Sequence, residues 1–265
     1  MELVKEQEVL IDIQNLTVEY GKKKNTILAI EDINLEIRRG EFICILGPSG
    51  CGKSTLLKTI AGYLNPTSGR CLMQGQPING PDWHRGVVFQ SPTLYPWMSI
   101  KDNVEFGPRM RGLPEKEIVE IREHFLKQVK LEGFEDKPTF ELSGGMKQRV
   151  ALARVLANYP QVILMDEPLG ALDAFTRANM QKLIRGIWKE NNSTIFLITH
   201  DIDEALALGT RIEVMSKRPG KILREFNVEF TNTIYKEDSD HIMYSEKYFQ
   251  TKKEILDIIN SQTEE

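Results

Sequence analysis

The apolar positions of the chain change period along its length. From Leu10 to Phe89 they alternate or come in short runs. Leu10 to Val18 reads as a strand that ends at a turn at Tyr20-Gly21. Ile33-Asn34-Leu35-Glu36-Ile37 alternates apolar with polar, the pattern of a half-buried strand, and Arg39-Gly40 marks the next turn. Phe42 to Leu46 is continuously apolar, as suits a strand buried on both faces, and Val87-Val88-Phe89 is a shorter run of the same kind.

The period then becomes helical. Ile118, Ile121, Phe125, Leu126 and Val129 fall at helix spacing between Pro114 and Lys130, with Pro114 placed for a helix start and Gly133 just past the end. A second helical pattern covers Gly145 to Ala157. Wholly apolar runs return at Val162 to Met165 and Ile195 to Ile198, separated by a polar, helix-competent stretch from Arg177 to Glu190. Strand, helix, strand predicts a parallel pair joined by a crossover. Beyond Arg218-Pro219-Gly220 the pattern predicts a strand-like segment from Lys221 to Phe230, an acidic loop near Asp238 and a helix from Glu246 to Ile259. The organisation expected is one domain over residues 1–265. Its α/β core comprises 1–90 and 161–230, its helical lobe 91–160, and its helical tail 231–265.

Composition narrows the classes. The 265 residues are 41% hydrophobic and 27% charged, ordinary for a folded soluble domain with a sizeable core. A net charge of −4 offers no field that would gather nucleic acid or anionic lipid, and the basic run Lys22 to Lys24 reads as a solvated loop. Cys44, Cys51 and Cys71 are odd in number and lack C-x-x-C spacing, which excludes a disulfide framework or a zinc site and fits a reducing cytosol. No apolar run approaches the ~20 residues of a membrane span. The charged start, MELVKEQEVL, has no signal-peptide core. If the protein serves a membrane, other chains must form the passage.

The chemistry is concentrated in three places. Gly47-Pro48-Ser49-Gly50-Cys51-Gly52-Lys53-Ser54 matches G-x-x-x-x-G-K-[ST] between a buried strand and a helix-competent segment, and Thr55 continues it. Glycines let successive N–H groups curl toward one anion, and the following helix adds its positive end. Lys53 supplies a charge to the β- and γ-phosphates, and Ser54 a hydroxyl to Mg²⁺. Cys51 lies inside this loop, so its alkylation is expected to block nucleotide. The loop alone says only that a nucleoside triphosphate binds; kinases, GTPases and motors share it. Second, the strand Val162 to Met165 delivers Asp166 and Glu167 at its carboxyl end, where ligands bind in open α/β sheets. Asp166 suits the Mg²⁺ shell and Glu167 the base or water-orienting group. His200 and Gln90 stand at further strand ends. Third, Leu142-Ser143-Gly144-Gly145-Met146-Lys147-Gln148-Arg149 opens an amphipathic helix with a second anion site. One nucleotide does not need two such sites on one subunit. Two copies arranged head to tail would each complete the other.

With these motifs the sequence resembles the ABC ATPase family over nearly its whole length. Leu142 to Met146 is similar to the family's signature motif, with Met146 where many members have Gln. The fold this implies is α/β: a P-loop NTPase core with a mostly parallel sheet, an N-terminal antiparallel β portion and an inserted α-helical lobe. The resemblance also implies that Gln90 is the Q-loop glutamine and a metal ligand, and His200 the switch histidine. It places Asp173 in the D-loop Ala171-Leu172-Asp173, and Tyr20 as the aromatic stacked on adenine. ATP and Mg²⁺ are then the cofactors, sandwiched between the phosphate loop of one chain and Ser143, Gly144 and Gly145 of a second, identical one. The implied partners are permease subunits, and indirectly a substrate-binding protein, with the chain peripheral on the cytoplasmic side of the membrane. The aromatic stretch Leu94-Tyr95-Pro96-Trp97-Met98 is expected to face the permease. Arg85 to Gln90 leading to Pro96-Trp97, with Met215-Ser216-Lys217-Arg218-Pro219-Gly220, resembles the nitrate, sulfonate, taurine and bicarbonate importers. A sulfonate or taurine importer is expected, with pyrimidine precursors or bicarbonate as alternative cargo. The rivals are a P-loop kinase, which would need an acceptor lid in place of Ser143-Gly144-Gly145, and a soluble ABC ATPase, which usually carries two cassettes.

Overall fold

The structure, a computed structural model, describes residues 8–21, 26–237 and 241–262. The expectations placed on residues 1–7, on Lys22 to Lys24 and on Asp238 lie outside these. Two sheets share the chain. Strands β1 (Val9–Tyr20), β2 (Ile27–Arg38), β4 (Ser68–Met73) and β5 (Gln76–Pro77) form an antiparallel sheet in the order β2-β1-β4-β5. The second sheet runs β10 (Ile222–Asn227), β9 (Arg211–Met215), β3 (Phe42–Leu46), β8 (Thr194–Thr199), β7 (Val162–Asp166), β6 (Arg85–Val88). All its pairings are parallel except β10 on β9.

Period-two alternation decides which core each central residue joins. On β3, Phe42, Cys44 and Leu46 belong to one apolar cluster, while Ile43 and Ile45 belong to the other. On β7, Ile163 and Met165 face the first and Val162 and Leu164 the second. The second cluster is filled by the inner face of the antiparallel sheet and by Leu56, Leu57 and Ile60 of helix α1 (Lys53–Ile60). The first is filled by helices α2 (Ile100–Met110), α3 (Glu115–Gln128), α4 (Gly144–Leu156), α5 (Ala174–Glu190), α6 (Ile202–Leu208) and α8 (Glu246–Ser261).

Several elements differ from the sequence expectation. Helix α2 lies within the helical lobe expected at 91–160, where no separate pattern had marked it. It forms because Ser99 and Asp102 close a capping box, and because only a glycine at 107 admits the side chain of Asn158. Helix α3 leaves the helical path at Val129, and Lys130 takes a left-handed backbone at φ 59° directly after it, ahead of Gly133 at φ 80°. Phe230 starts helix α7 (Phe230–Glu237) instead of ending a strand, and buries its ring edge-on to Tyr248 at 5.1 Å. Strand β9 carries a buried acid, Glu213, which masked its strand pattern.

Candidate functional site

Parallel register brings the chemistry to one edge of the central sheet. Leu46 pairs with Thr199 on one side and Val214 on the other, Asp166 with Ile198, and Val88 with Met165. The residues that leave these strand ends therefore share one rim: the phosphate loop, the Asp166-Glu167 pair, Gln90, His200 and the turn after Met215.

The loop wraps the N-terminus of α1. Gly50 and Gly52 take positive φ, and Gly52 must be glycine also because a side chain there would overlap Ile30 of β2. Lys53 is only 5% exposed; its Nζ donates to Gly47 O at 2.8 Å and Pro48 O at 3.0 Å. Ser54 Oγ donates to Asp166 Oδ1 at 3.2 Å. Burial holds the Asp166 carboxyl above its usual range, against the lowering by that Ser54 bond. Tyr20 Oη meets Thr55 Oγ1 at 3.1 Å, setting the ring beside the start of α1. An open cavity of 440 Å³ results, lined by Tyr20, Ser49, Gly50, Gly52 to Thr55 and Glu167, with Ile27, Ala29 and Arg218 completing its wall.

Glu167 occupies a left-handed backbone at φ 45°, a conformation costing a non-glycine residue on the order of 1–3 kcal/mol. Its carboxylate meets His200, whose Nδ1 lies 3.0 Å from Glu167 Oε2. The Gln90 amide and the Glu167 carboxylate both approach Gly170, within 4 Å of where a methyl group would stand. Metal-binding potential rests on Ser54 and Asp166, since among the described residues no group of three or more His, Cys, Asp or Glu gathers to hold an ion alone.

Not every expected residue joins this cavity. Gly47 and Pro48 face it only through the carbonyls that hold Lys53. Cys51 is 1% exposed, with its thiol raised by burial, and is a small filler beneath the loop. Ser143, Gly144, Gly145 and Asp173 stand apart. Ser143 caps α4, accepting from Met146 N at 3.3 Å, and Asp173 caps α5, accepting from Thr176 N at 3.0 Å. The two helix starts abut: a side chain on Gly145 would press Thr176 Cγ2 at 2.6 Å. Ser143 and Asp173 are both exposed, flanked by Phe140 (73% exposed) and Phe175 (79%). Met146 packs its side chain on the core and leaves the capping bond to its backbone, so its departure from Gln costs nothing here.

Three supporting residues were missed. Gln148, on α4 and 2% exposed, donates to Phe89 O at 3.1 Å and so fixes the segment carrying Gln90. Arg177 donates to Leu172 O and lies 3.9 Å from Asp201, bracing the turn at Asp173 against the one after His200. Arg218 had been noticed only as part of a family stretch. Gln148 lay inside the helix-opening motif, but its partner is a carbonyl distant in sequence, which no spacing reveals.

Comparison with known proteins agrees with this geometry. Residues 30–170 match the model of the family described as ABC transporter. The chain is 46% identical to the taurine import ATP-binding protein TauB of Roseobacter denitrificans over 256 residues, 96% of each chain. It is 42% identical to TauB of Escherichia coli over 247 residues, 93% of this chain and 95% of that one. Among solved structures it superimposes on the dimeric ATP-binding cassette MJ0796 in a post-hydrolysis state bound to ADP and Pi. The TM-score is 0.73 at 33% identity, over 83% of this chain and 99% of that one. It also superimposes on cbiO1 of Clostridium perfringens, part of an ABC transporter complex, with a TM-score of 0.76 at 34% identity over 90% and 94%. With its phosphate loop, acid pair and capped glycine helix start on an α/β frame, the chain belongs to the ABC transporter family, as an ATP-binding and ATP-hydrolysing subunit.

Proposed function

We propose that the chain powers the import of taurine or a related sulfonate by hydrolysing ATP between two head-to-tail copies of itself, on the cytoplasmic face of permease subunits. The observation that carries the mechanism is the separation of the two anion sites. Lys53, Ser54 and Glu167 line one cavity, while Ser143 and Asp173 are exposed and lie outside that lining. The cargo rests on the relatives named for taurine import, which are 42–47% identical over nearly the full chain.

In this reading Lys53 and the loop amides neutralise the β- and γ-phosphates, and Tyr20 stacks on the adenine. Mg²⁺ would be held by Ser54 and Asp166, with Gln90 nearby, and would supply charge neutralisation on the phosphates; hydroxyl and carboxylate are the hard oxygens it prefers. Glu167 orients the attacking water, and His200 holds that carboxylate in place and reaches toward the γ-phosphate. Ser143 of a second copy closes the sandwich. The γ-phosphate adds contacts that ADP lacks, so closure follows ATP and opening follows hydrolysis.

The permease surface is the groove of 410 Å³ lined by Tyr63, Phe89, Tyr95, Phe106 and their neighbours on the lobe. Tyr95 stacks obliquely on Phe106 at 4.7 Å, while Trp97, 5.6 Å from the Tyr95 ring, is 76% exposed. No helix among the described residues is long and apolar enough to cross a membrane, so in this reading the passage belongs to other chains.

Uptake of labelled taurine and labelled nitrate, in cells with the chain deleted and then restored, tests the proposal. Taurine uptake is expected to fail on deletion, to return with the wild-type chain, and to stay absent with Glu167→Gln. Taurine uptake that survives deletion removes the sulfonate assignment. Uptake restored by Glu167→Gln removes Glu167 from the water-orienting role.

A further inference from the structure

The turn between β9 and β10 is built into the nucleotide cavity more closely than a surface hairpin needs to be. Gly220 N–H donates to Ala29 O at 2.9 Å, and Glu31 N–H donates to Gly220 O at 3.0 Å, which pins the turn to β2. A side chain on Gly220 would overlap the Cys51 carbonyl, so the turn lies against the back of the phosphate loop and only glycine permits that approach. Ser216 ties the turn internally: its Oγ donates to Pro219 O and accepts from Lys221 N–H, both at 2.8 Å. From the other side Gln262, at the end of α8, accepts from Lys217 N–H at 2.6 Å. A turn held from four directions presents one residue, Arg218, at the cavity.

Arg218 is exposed and lines that cavity beside Ser49, Gly50 and Lys53. Its Nε and Nη2 both lie 3.4 Å from Gly50 O, the long end of hydrogen bonding, and among the described residues no carboxylate pairs with it. Lys53 and Arg218 are the cations of the lining. Lys53 is buried on the loop carbonyls, whereas the guanidinium of Arg218 has donors left over and a planar fork suited to phosphate oxygens.

We infer that Arg218 is a further nucleotide-binding residue, a guanidinium that joins Lys53 in clamping the phosphates of ATP. The Met215 to Gly220 stretch is the device that places it there. The inference rests on the ATP reading of this cavity and adds a residue outside the loop and acid motifs. The weak bonds to Gly50 O make the side chain easy to redirect, so phosphate capture costs little in lost contacts.

The test is titration of ATP, ADP and AMP into the wild-type chain and into Arg218→Ala, Arg218→Gln and Arg218→Lys, with thermal melts of each. Loss of one charge-assisted phosphate contact weakens binding about tenfold. Arg218→Ala and Arg218→Gln are expected to lose that factor for ATP, Arg218→Lys to recover part of it, and all melting temperatures to stay level. ADP weakened equally with ATP assigns the contact to the α- or β-phosphate; ATP weakened alone assigns it to the γ-phosphate. Affinities of Arg218→Ala equal to wild type overturn the inference while leaving the cavity's assignment intact, even if turnover falls. An affinity lost only together with a lowered melting temperature, and not recovered by Arg218→Lys, overturns it as well. Failure of the wild-type chain itself to bind ATP would instead sink the reading on which the inference stands.

Discussion

The two anion sites of this chain are made of the same parts and finished differently. Around the phosphate loop, side chains reach across the fold: Lys53 to Gly47 and Pro48, Ser54 to Asp166, Tyr20 to Thr55, His200 to Glu167. The side chains of Ser143 and Asp173 do no more than cap their own helices, and Phe140 and Phe175 beside them are exposed. The first is a site preorganised by its own chain. In the proposed dimer the second is half of a site, completed by groups that the other copy brings. Buried partners give affinity to the one; exposure gives the other its use at an interface.

The sharpest break in that contrast is Lys53→Ala. Removing a buried charge that faces the phosphates should weaken ATP binding about 100-fold or more, read by calorimetry. A loss below about tenfold would mean the loop amides carry the site without it. The middle-sized test sets the halves against each other. Ser143→Ala should leave ATP binding by the isolated chain unchanged and lower turnover by at least about tenfold, with about 1 kcal/mol of stability lost from the missing cap. Lys53→Ala and Ser143→Ala chains, each inactive alone, should regain turnover when mixed, because one of the two composite sites in the mixed dimer is then intact. Mixtures that stay inactive would show that each chain completes its own site.

The smallest effect concerns Glu204, beneath the half finished within the chain. It is 4% exposed, accepts from Thr199 Oγ1 at 2.6 Å, and has its other oxygen unpartnered. Burial raises it to about 7. A carboxyl raised in the folded state adds stability that is complete below 4.5 and is lost as pH climbs through 7. Melting between pH 5 and pH 8 should therefore fall, by an amount on the order of 2–3 kcal/mol, and Glu204→Gln should flatten that fall. A mutant profile parallel to wild type would place the pH dependence elsewhere, with Glu213, raised by burial to about 8, the next group to replace.

How much of this was legible in the sequence depended on how local the physics is. The phosphate loop was readable because its glycines answer to backbone angles within a few residues. Asp166 and Glu167 were readable because the four-residue apolar run Val162 to Met165 delivers them at a strand's carboxyl end, where ligands bind. The positive φ of Glu167 left no mark in composition. Helix α2 was legible only as part of the helical lobe, because the fit of Gly107 against Asn158 joins residues far apart in sequence. Arg218 and Gln148 were missed as functional residues for a common reason. Their partners, Gly50 O and Phe89 O, are backbone atoms brought close only by the docking of distant elements.

The burial of Cys44, Cys51 and Cys71 carries a consequence for anyone who handles this protein. These are all the cysteines of the chain, and burial raises each thiol above its usual value, Cys71 to about 12. Thiolate is the form that reacts, so the native molecule is chemically quiet toward maleimides and iodoacetamides. A cysteine introduced on the surface meets almost no background. Dyes or spin labels on the faces that carry Ser49 and Ser143 would then report the approach of two subunits without first stripping the protein of its own sulfur.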